Sequence, residues 1–142
     1  MKRNLVCAFA AIATSACAPD SVTPGGKLPP LTDPAEAGEL VLIRPRAFIA
    51  EETSFYINVN KDDIAPIRSG QHTRLKLPPG EHRVAIRCYS SLSGWQETAI
   101  TQRVVAGQAA YLAIAPRKDC VSVEPVSESE GKLLARTVFK SI

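Results

Sequence analysis

The sequence predicts a small all-β domain, an antiparallel β-sandwich of about seven or eight strands followed by a short C-terminal helix. Three observations predict this fold class. Short alternating runs of apolar and polar residues recur about every 8 to 12 residues, turn-forming residues separate them, and helical periodicity appears only near the C-terminus. Of the 142 residues, 45% are hydrophobic and 22% are charged. This composition is typical of one globular domain and excludes a disordered or collagen-like chain.

The first predicted strand is the apolar run 40–43, which Pro45 ends at an edge or a bulge. Phe55, Ile57 and Val59 then alternate with polar residues, and the polar stretch 60–63 turns the chain into a further strand over 64–68.

Residues 73–77 alternate again, and the turn residues 78–80 follow them. We expect Pro78, Pro79 and Gly80 to join this strand as a hairpin to the next strand. That strand has His82, Val84, Ile86 and Cys88 on one face, and Arg83, Ala85 and Arg87 on the other.

The second half of the predicted sandwich has strands near 98–105, 109–115 and 120–126. Ser127 and Glu130 have the spacing of a capping box, and an apolar stripe follows them. The sequence therefore predicts a helix near 128–139, weakened by Gly131.

The N-terminus has the three zones of an export signal: Lys2 and Arg3, an apolar run over 5–13, and small residues before Cys17. The apolar run is too short to span a membrane. A cut after Ala18 also fits a small-x-small pattern, but it would place Pro19 directly after the cut bond, which suits a protease poorly.

The sequence 14–17, Thr-Ser-Ala-Cys, resembles the lipobox of bacterial lipoproteins. The resemblance implies that 1–16 is a lipoprotein signal peptide and that Cys17 receives a diacylglycerol and an acyl chain such as palmitate. Because Ala18 rather than Asp follows the cysteine, it also implies a lipid-anchored protein on the periplasmic side of the outer membrane. Residues 17–38 are rich in Pro and Gly and are predicted to be a flexible tether, which leaves 39–142 for the sandwich domain and its helix.

Removal of Lys2 and Arg3 with the signal leaves 15 basic and 14 acidic residues, a net charge of +1. A nearly neutral chain is a poor candidate for binding nucleic acid. Cys88 and Cys120 remain as a pair in an oxidising compartment, which favours a disulfide over two buried free thiols.

Several segments together resemble a bacterial lipoprotein family called domain of unknown function 2846, a relative of PEGA-type modules. They are Leu40 to Arg44, Asn58-Val59-Asn60, Leu77-Pro78-Pro79-Gly80-Glu81-His82, Val105-Ala106-Gly107-Gln108 and Tyr111. The resemblance covers about 40–126. It implies an exported β-sandwich, no known activity and no catalytic residues.

Candidate functional residues are few. His72 and His82 are the only histidines. A metal site would need a third ligand, for which Asp62, Asp63 or Glu81 could serve in principle, but lone surface histidines are far commoner than ligands. Because no G-x-S-x-G nucleophile motif is present either, we predict neither a metal or other cofactor nor an enzyme. Trp95 with Tyr89 fits either an interface anchor or core packing at a strand end. The predicted hairpin would place four basic residues on one outer face: Arg74, Lys76, Arg83 and Arg87.

The sequence-based hypothesis is a non-catalytic envelope lipoprotein that serves as an interaction or assembly module for an envelope protein. Two alternatives stay open: a binder of an anionic glycan or lipid through the basic face, and a small hydrolase or protease inhibitor.

Overall fold

A computed structural model describes residues 27–140, which form two β-sheets packed face to face and one α-helix. The predicted signal peptide and Cys17 lie outside the described residues. Nine strands and the helix lie within 27–140: β1 (Gly38–Arg44), β2 (Phe55–Val59), β3 (Asp62–Ile67), β4 (Gln71–Leu77), β5 (Gly80–Ser90), β6 (Gly94–Val104), β7 (Ala109–Pro116), β8 (Val121–Val126), α1 (Glu128–Arg136) and β9 (Phe139–Lys140).

The five-stranded sheet has the order β8-β7-β1-β4-β9, and the four-stranded sheet has the order β3-β2-β5-β6. Most neighbouring strands are antiparallel, but β1 pairs in parallel with β7, and β4 pairs in parallel with the two-residue strand β9. The predicted all-β sandwich with a C-terminal helix is confirmed.

The main core lies between the two sheets, and a smaller core lies under α1. Alternate residues of β1, such as Leu40 and Leu42, enter the main core, while Val41 and Ile43 pack under the helix with Tyr111. Because β1 is covered on both faces, its sequence is a continuous apolar run rather than an alternating one.

Ordered packing begins before the predicted domain boundary. Leu28 packs against the main core, the 3₁₀ turn Pro34–Glu36 is capped by the Asp33 side chain, and Ala37 is buried. In the part of the predicted tether that the structure describes, Leu28 and Ala37 are therefore packed on the sandwich, whereas 32–36 are exposed.

The predicted hairpin between β4 and β5 is wrong. The segment 78–79 carries the chain from the five-stranded sheet to the four-stranded sheet, and the two strands do not pair. His82 is buried beside this crossing. Its Nε2–H donates to the carbonyl oxygen of Pro78 (2.8 Å), and its Nδ1 accepts from the side-chain amide Nδ2 of Asn60 (3.0 Å). The inward and outward faces predicted for β5 are correct, because they follow from strand periodicity alone.

Two hairpins build most of the four-stranded sheet. β2 and β3 are joined by Asn60 and Lys61, which both have positive φ, as a type I′ turn requires. β5 and β6 pair over eleven residues, from Gly80↔Val104 to Ser90↔Gly94. Residues 91–93 therefore form the turn that connects these two strands.

The helix begins as predicted but ends earlier. The Ser127 hydroxyl accepts from the Glu130 amide (3.2 Å), whereas Thr137 caps the C-terminus by donating its hydroxyl to the Leu134 carbonyl oxygen (2.7 Å). The chain then pairs with β4 as β9 instead of continuing the predicted helix to 139.

Gly131 permits close packing of α1 on the sheet. A Cβ atom at this position would overlap the Cβ, Cγ and Cδ1 atoms of Tyr111 on β7. The residue that lowers helix propensity is therefore the one that lets the helix approach the sheet.

We expect Gly131→Ala to destabilise the domain by about 1 to 3 kcal/mol, although alanine favours a helix by about 1 kcal/mol, because the Tyr111 backbone must move to relieve the overlap. Urea denaturation measures the change. Ser129→Ala, at an exposed position of the same helix, is the matched control and should change stability by less than about 0.5 kcal/mol. A Gly131→Ala variant as stable as this control would contradict the packing argument.

Arg44, at the end of β1, is fully buried. Its guanidinium donates to the carbonyl oxygens of Ala50 (2.6 Å), Thr53 (2.6 Å) and Ile67 (2.9 Å) and lies 3.7 Å from the ring centroid of Phe55. Burial lowers the pKa of Arg44 to about 10, so the group remains charged at neutral pH. This one side chain connects β1 to the 45–54 loop and to both strands β2 and β3.

Replacement of Arg44 should be costly because its three carbonyl partners would lose their donors. We expect Arg44→Met to lower the free energy of unfolding by about 3 kcal/mol, and Arg44→Lys by about half of that, since a single ammonium cannot reproduce the planar fork. Arg46→Lys, at an exposed position two residues away, is the control. An Arg44→Met variant with parental stability in urea would disprove the role given to the guanidinium.

The structure contains the predicted disulfide between Cys88 and Cys120, with a Cα–Cα distance of 5.8 Å. Cys88 belongs to β5 in the four-stranded sheet, and Cys120 directly precedes β8 in the five-stranded sheet. The bond therefore links the two layers, and the chain-entropy argument gives it about 3.7 kcal/mol of stabilisation.

Candidate interaction surfaces

The four basic residues that were predicted to share one outer face lie on two different faces. Arg74 and Lys76 lie on the outer side of the five-stranded sheet, whereas Arg83 and Arg87 lie on the outer side of the four-stranded sheet. The single basic face is therefore wrong, because its prediction required β4 and β5 to be neighbours.

Each pair of basic residues also has acidic partners. Glu39 accepts from Arg74 (2.8 Å) and lies 3.4 Å from Lys76. Burial raises the pKa of Glu39, but the hydrogen bond and charge of Arg74, together with Lys76, outweigh it and hold the pKa below its usual value. This carboxylate thus stays ionised and offsets part of the positive charge.

The basic residues on the outer side of the four-stranded sheet also have acidic partners. Arg83 is paired with Glu97, and Arg87 donates to Asp63 (2.8 Å). Hydrogen bonds from Asn58 and Arg87 lower the pKa of Asp63. With one acid for each arginine, this face has little net charge to attract an anion.

Three aromatic side chains form an exposed cluster on the outer face of the four-stranded sheet: Tyr56 of β2, Tyr89 of β5 and Trp95 of β6, called here the aromatic cluster. The ring centroids of both tyrosines lie 5.5 Å from Trp95, in edge-to-face geometry. Tyr89 is 57% and Trp95 53% exposed. Of the two interpretations of Trp95 that the sequence left open, the structure thus rejects core packing and leaves an outward-facing aromatic.

Trp95 extends across the sheet rather than away from it. From β6 it contacts Tyr56 on β2, two strands away, and the Arg87 guanidinium on the intervening strand lies 4.9 Å from its ring centroid. Arg87 therefore supports one face of the indole. A polar depression of about 450 Å³ adjoins the cluster and is lined by Asn58, Lys61, Arg83, Arg87 and Glu97.

The histidines serve different parts of the fold. His72 pairs with Ile43 on the outer side of the five-stranded sheet, and His82 is buried at the margin of the other sheet. Within 27–140, no group of three or more His, Cys, Asp or Glu side chains is placed to hold a metal ion.

Sequence reasoning missed a second exposed apolar feature. Phe48 is 99% exposed and Ile49 73% exposed in the 45–54 loop, and Leu92 is 97% exposed in the β5–β6 turn. The signal was present as the short apolar stretch 47–50 between Pro45 and Glu51, which is too short and too irregular for a strand.

Comparison with family models, with curated proteins and with solved structures finds no match to this chain. In the part of the chain that the structure describes, none of the helices has the length and apolar character needed to cross a membrane.

Proposed function

We propose that this chain is a non-catalytic, lipid-anchored envelope protein of the outer membrane whose β-sandwich is an interaction module for another envelope protein in the periplasm. The export zones and Cys17 support the anchored location, as does the resemblance to the domain of unknown function 2846 family. The Cys88–Cys120 disulfide fits an oxidising compartment.

The aromatic cluster is the observation that carries the interaction role. Trp, Tyr and Arg are the residues most enriched among the energetically dominant contacts of protein interfaces, because they bury large surfaces at low conformational cost. Here Trp95, two tyrosines and Arg87 meet on a sheet whose register and salt bridges hold them in place. A partner can therefore bind them without first ordering a loop.

The alternative of an anionic glycan or lipid held by a basic face has lost its basis. Arg74 and Lys76 share Glu39, Arg83 and Arg87 each have an acid, and the two pairs lie on opposite outer faces. We therefore place the binding surface on the aromatic cluster.

A photocrosslinking amino acid at position 89 should capture a defined partner in intact cells, because this side chain lies inside the proposed interface. The same group at position 133, 63% exposed on α1, is the matched control and should capture none. Trp95→Ala should reduce the position-89 product at least tenfold, as expected for a dominant contact. Equal capture at both positions, or no effect of Trp95→Ala, would reject the aromatic cluster as the interface.

The proposed lipid anchor at Cys17 can be tested separately from the interface. Intact mass of the membrane-extracted protein should match a chain that begins at an acylated Cys17, with two hydrogens missing from the Cys88–Cys120 bond. Cys17→Ser should abolish acylation and leave the protein unprocessed. A native chain without lipid in the soluble fraction would contradict the lipoprotein proposal without affecting the interface experiment.

A further inference from the structure

Two loops with apolar tips lie at the same end of the sandwich, called here the loop end. The 45–54 loop leaves β1 at Arg44 and enters β2 at Phe55, and Tyr56 pairs with Arg87 near the end of β5 that leads into the 91–93 turn. A small cavity of about 130 Å³ confirms the proximity, because Ala50 and Thr53 line it together with Tyr89 and Ser90.

Exposed apolar side chains are concentrated at the loop end. Within residues 27–140, nine large hydrophobic side chains are exposed, and seven of them lie at this end or directly behind it, one of which is Phe139, the β9 partner of Gln71 beside Arg44. Phe48, Ile49 and Leu92 project from the loops, and the aromatic cluster lies just behind them on the strands: Tyr56, Tyr89 and Trp95. Scattered exposed apolar residues are ordinary, but a concentration at one end marks an interaction site.

Charged residues surround the tips with little net charge. Arg46 belongs to the first loop, and Arg117 and Lys118 belong to the β7–β8 turn that lines the same cavity. Arg68 lies in the β3–β4 turn, whose Ser69 hydroxyl accepts from the Ala47 amide of the first loop. Glu51, Glu52 and Asp119 offset three of these four basic residues, which leaves a net charge of about +1. An occupant of the loop end must therefore be attracted by apolar contact more than by charge.

We propose that the loop end docks on a lipid bilayer by inserting Phe48, Ile49 and Leu92 into the interfacial region. The order of side chains fits the layers of a bilayer surface. Aliphatic and phenyl groups extend furthest, Trp and Tyr follow at the depth where headgroups favour them, and Arg and Lys flank them within reach of phosphates.

A bilayer explains the shape of the loop end better than a protein partner does. The tips stand on two separate loops, and Phe48 and Leu92 are nearly fully exposed. A fluid interface closes around isolated protruding groups, whereas a protein site must provide matched shape complementarity to each of them.

The docked orientation is compatible with an anchor at Cys17. Lys27 lies ten residue steps after Cys17, and a chain of that length reaches about 31 Å in an extended form, more than the roughly 23 Å length of a seven-residue strand such as β1. The bilayer proposal does not depend on the anchor, because it rests on the loops alone.

Trp95 is the only tryptophan in the chain and lies three residues from Leu92, so it reports on docking without a label. Full-length protein purified from membranes is reconstituted in, or mixed with, phosphatidylcholine vesicles whose acyl chains carry bromine near the headgroup. We expect quenching of Trp95 emission and a shift of its maximum to shorter wavelength. Replacing part of the lipid with phosphatidylglycerol should change the effect less than twofold, because the loop end is nearly neutral.

The double variant Phe48→Asp with Leu92→Asp should lose at least nine tenths of the quenching, while Leu133→Asp on α1 should keep it. All three sites are exposed, so unchanged thermal unfolding and an intact disulfide verify the fold. An acyl chain at Cys17 would hold the double variant and the Leu133→Asp variant equally on the vesicles. A loss of quenching in the double variant alone therefore reports on the loop end and not on the anchor.

Quenching that persists in the double variant would overturn the bilayer proposal, as would its absence in the parent protein. A parent protein that is unquenched but forms a dimer broken by the double variant would assign the loop end to a second copy instead. A failure of the position-89 crosslink with normal quenching would reject the protein interface and leave bilayer docking intact.

Discussion

The buried guanidinium of Arg44 is the interaction on which the arrangement of the two sheets and the loop end depends. Its hydrogen bonds reach the 45–54 loop at Ala50 and Thr53 and the end of β3 at Ile67, so one side chain of the five-stranded sheet fixes three points in the other half of the molecule. A hydrophobic residue could fill the space but could not satisfy three carbonyl oxygens. The loop that presents Phe48 and Ile49 begins at Arg44 and is held again at Ala50 and Thr53 by its guanidinium, whose charge is costly to bury, as the lowered pKa of Arg44 indicates.

Local features of the fold could be predicted from the sequence, and pairings between distant strands could not. The alternation in β5 identified its inward residues correctly, and the spacing of Ser127 and Glu130 identified the start of α1. Both depend on periodicity or on contacts within four residues. The partner of β4 depends on the direction the chain takes after Leu77, and a Pro-Pro-Gly sequence is compatible with a hairpin and with a crossing between sheets. The early end of α1 has the same cause, because β9 is stabilised by pairing with a strand more than sixty residues earlier.

In the candidate site, too, residue types and outward positions could be predicted from the sequence, but contacts between strands could not. Residue type left Trp95 with Tyr89 open between an interface anchor and core packing, and only the pairing of β2 with β5 brings Tyr56 to them. The basic residues were correctly assigned to outward positions, yet the error in strand order placed four of them on one face, and their acidic partners Glu39, Asp63 and Glu97 come from strands β1, β3 and β6. Charge on a sheet surface is a property of neighbouring strands, so it is the feature that fails first when one neighbour is wrong.

The apolar side chains at the tips of the two loops contribute little to folding, which is why they bear on function. Phe48 and Leu92 are almost as exposed in the folded chain as in an unfolded one, so they add no hydrophobic stabilisation and increase the risk of aggregation. Elsewhere the chain follows the rules of stability: Gly131 permits helix packing, His82 has two hydrogen-bond partners, and the disulfide joins the layers. Departures from those rules at one end of a consistent structure are expected at a functional site. Under the bilayer proposal, the outer face of the four-stranded sheet faces sideways and the aromatic cluster lies close to the bilayer, where a partner in the same membrane would meet it.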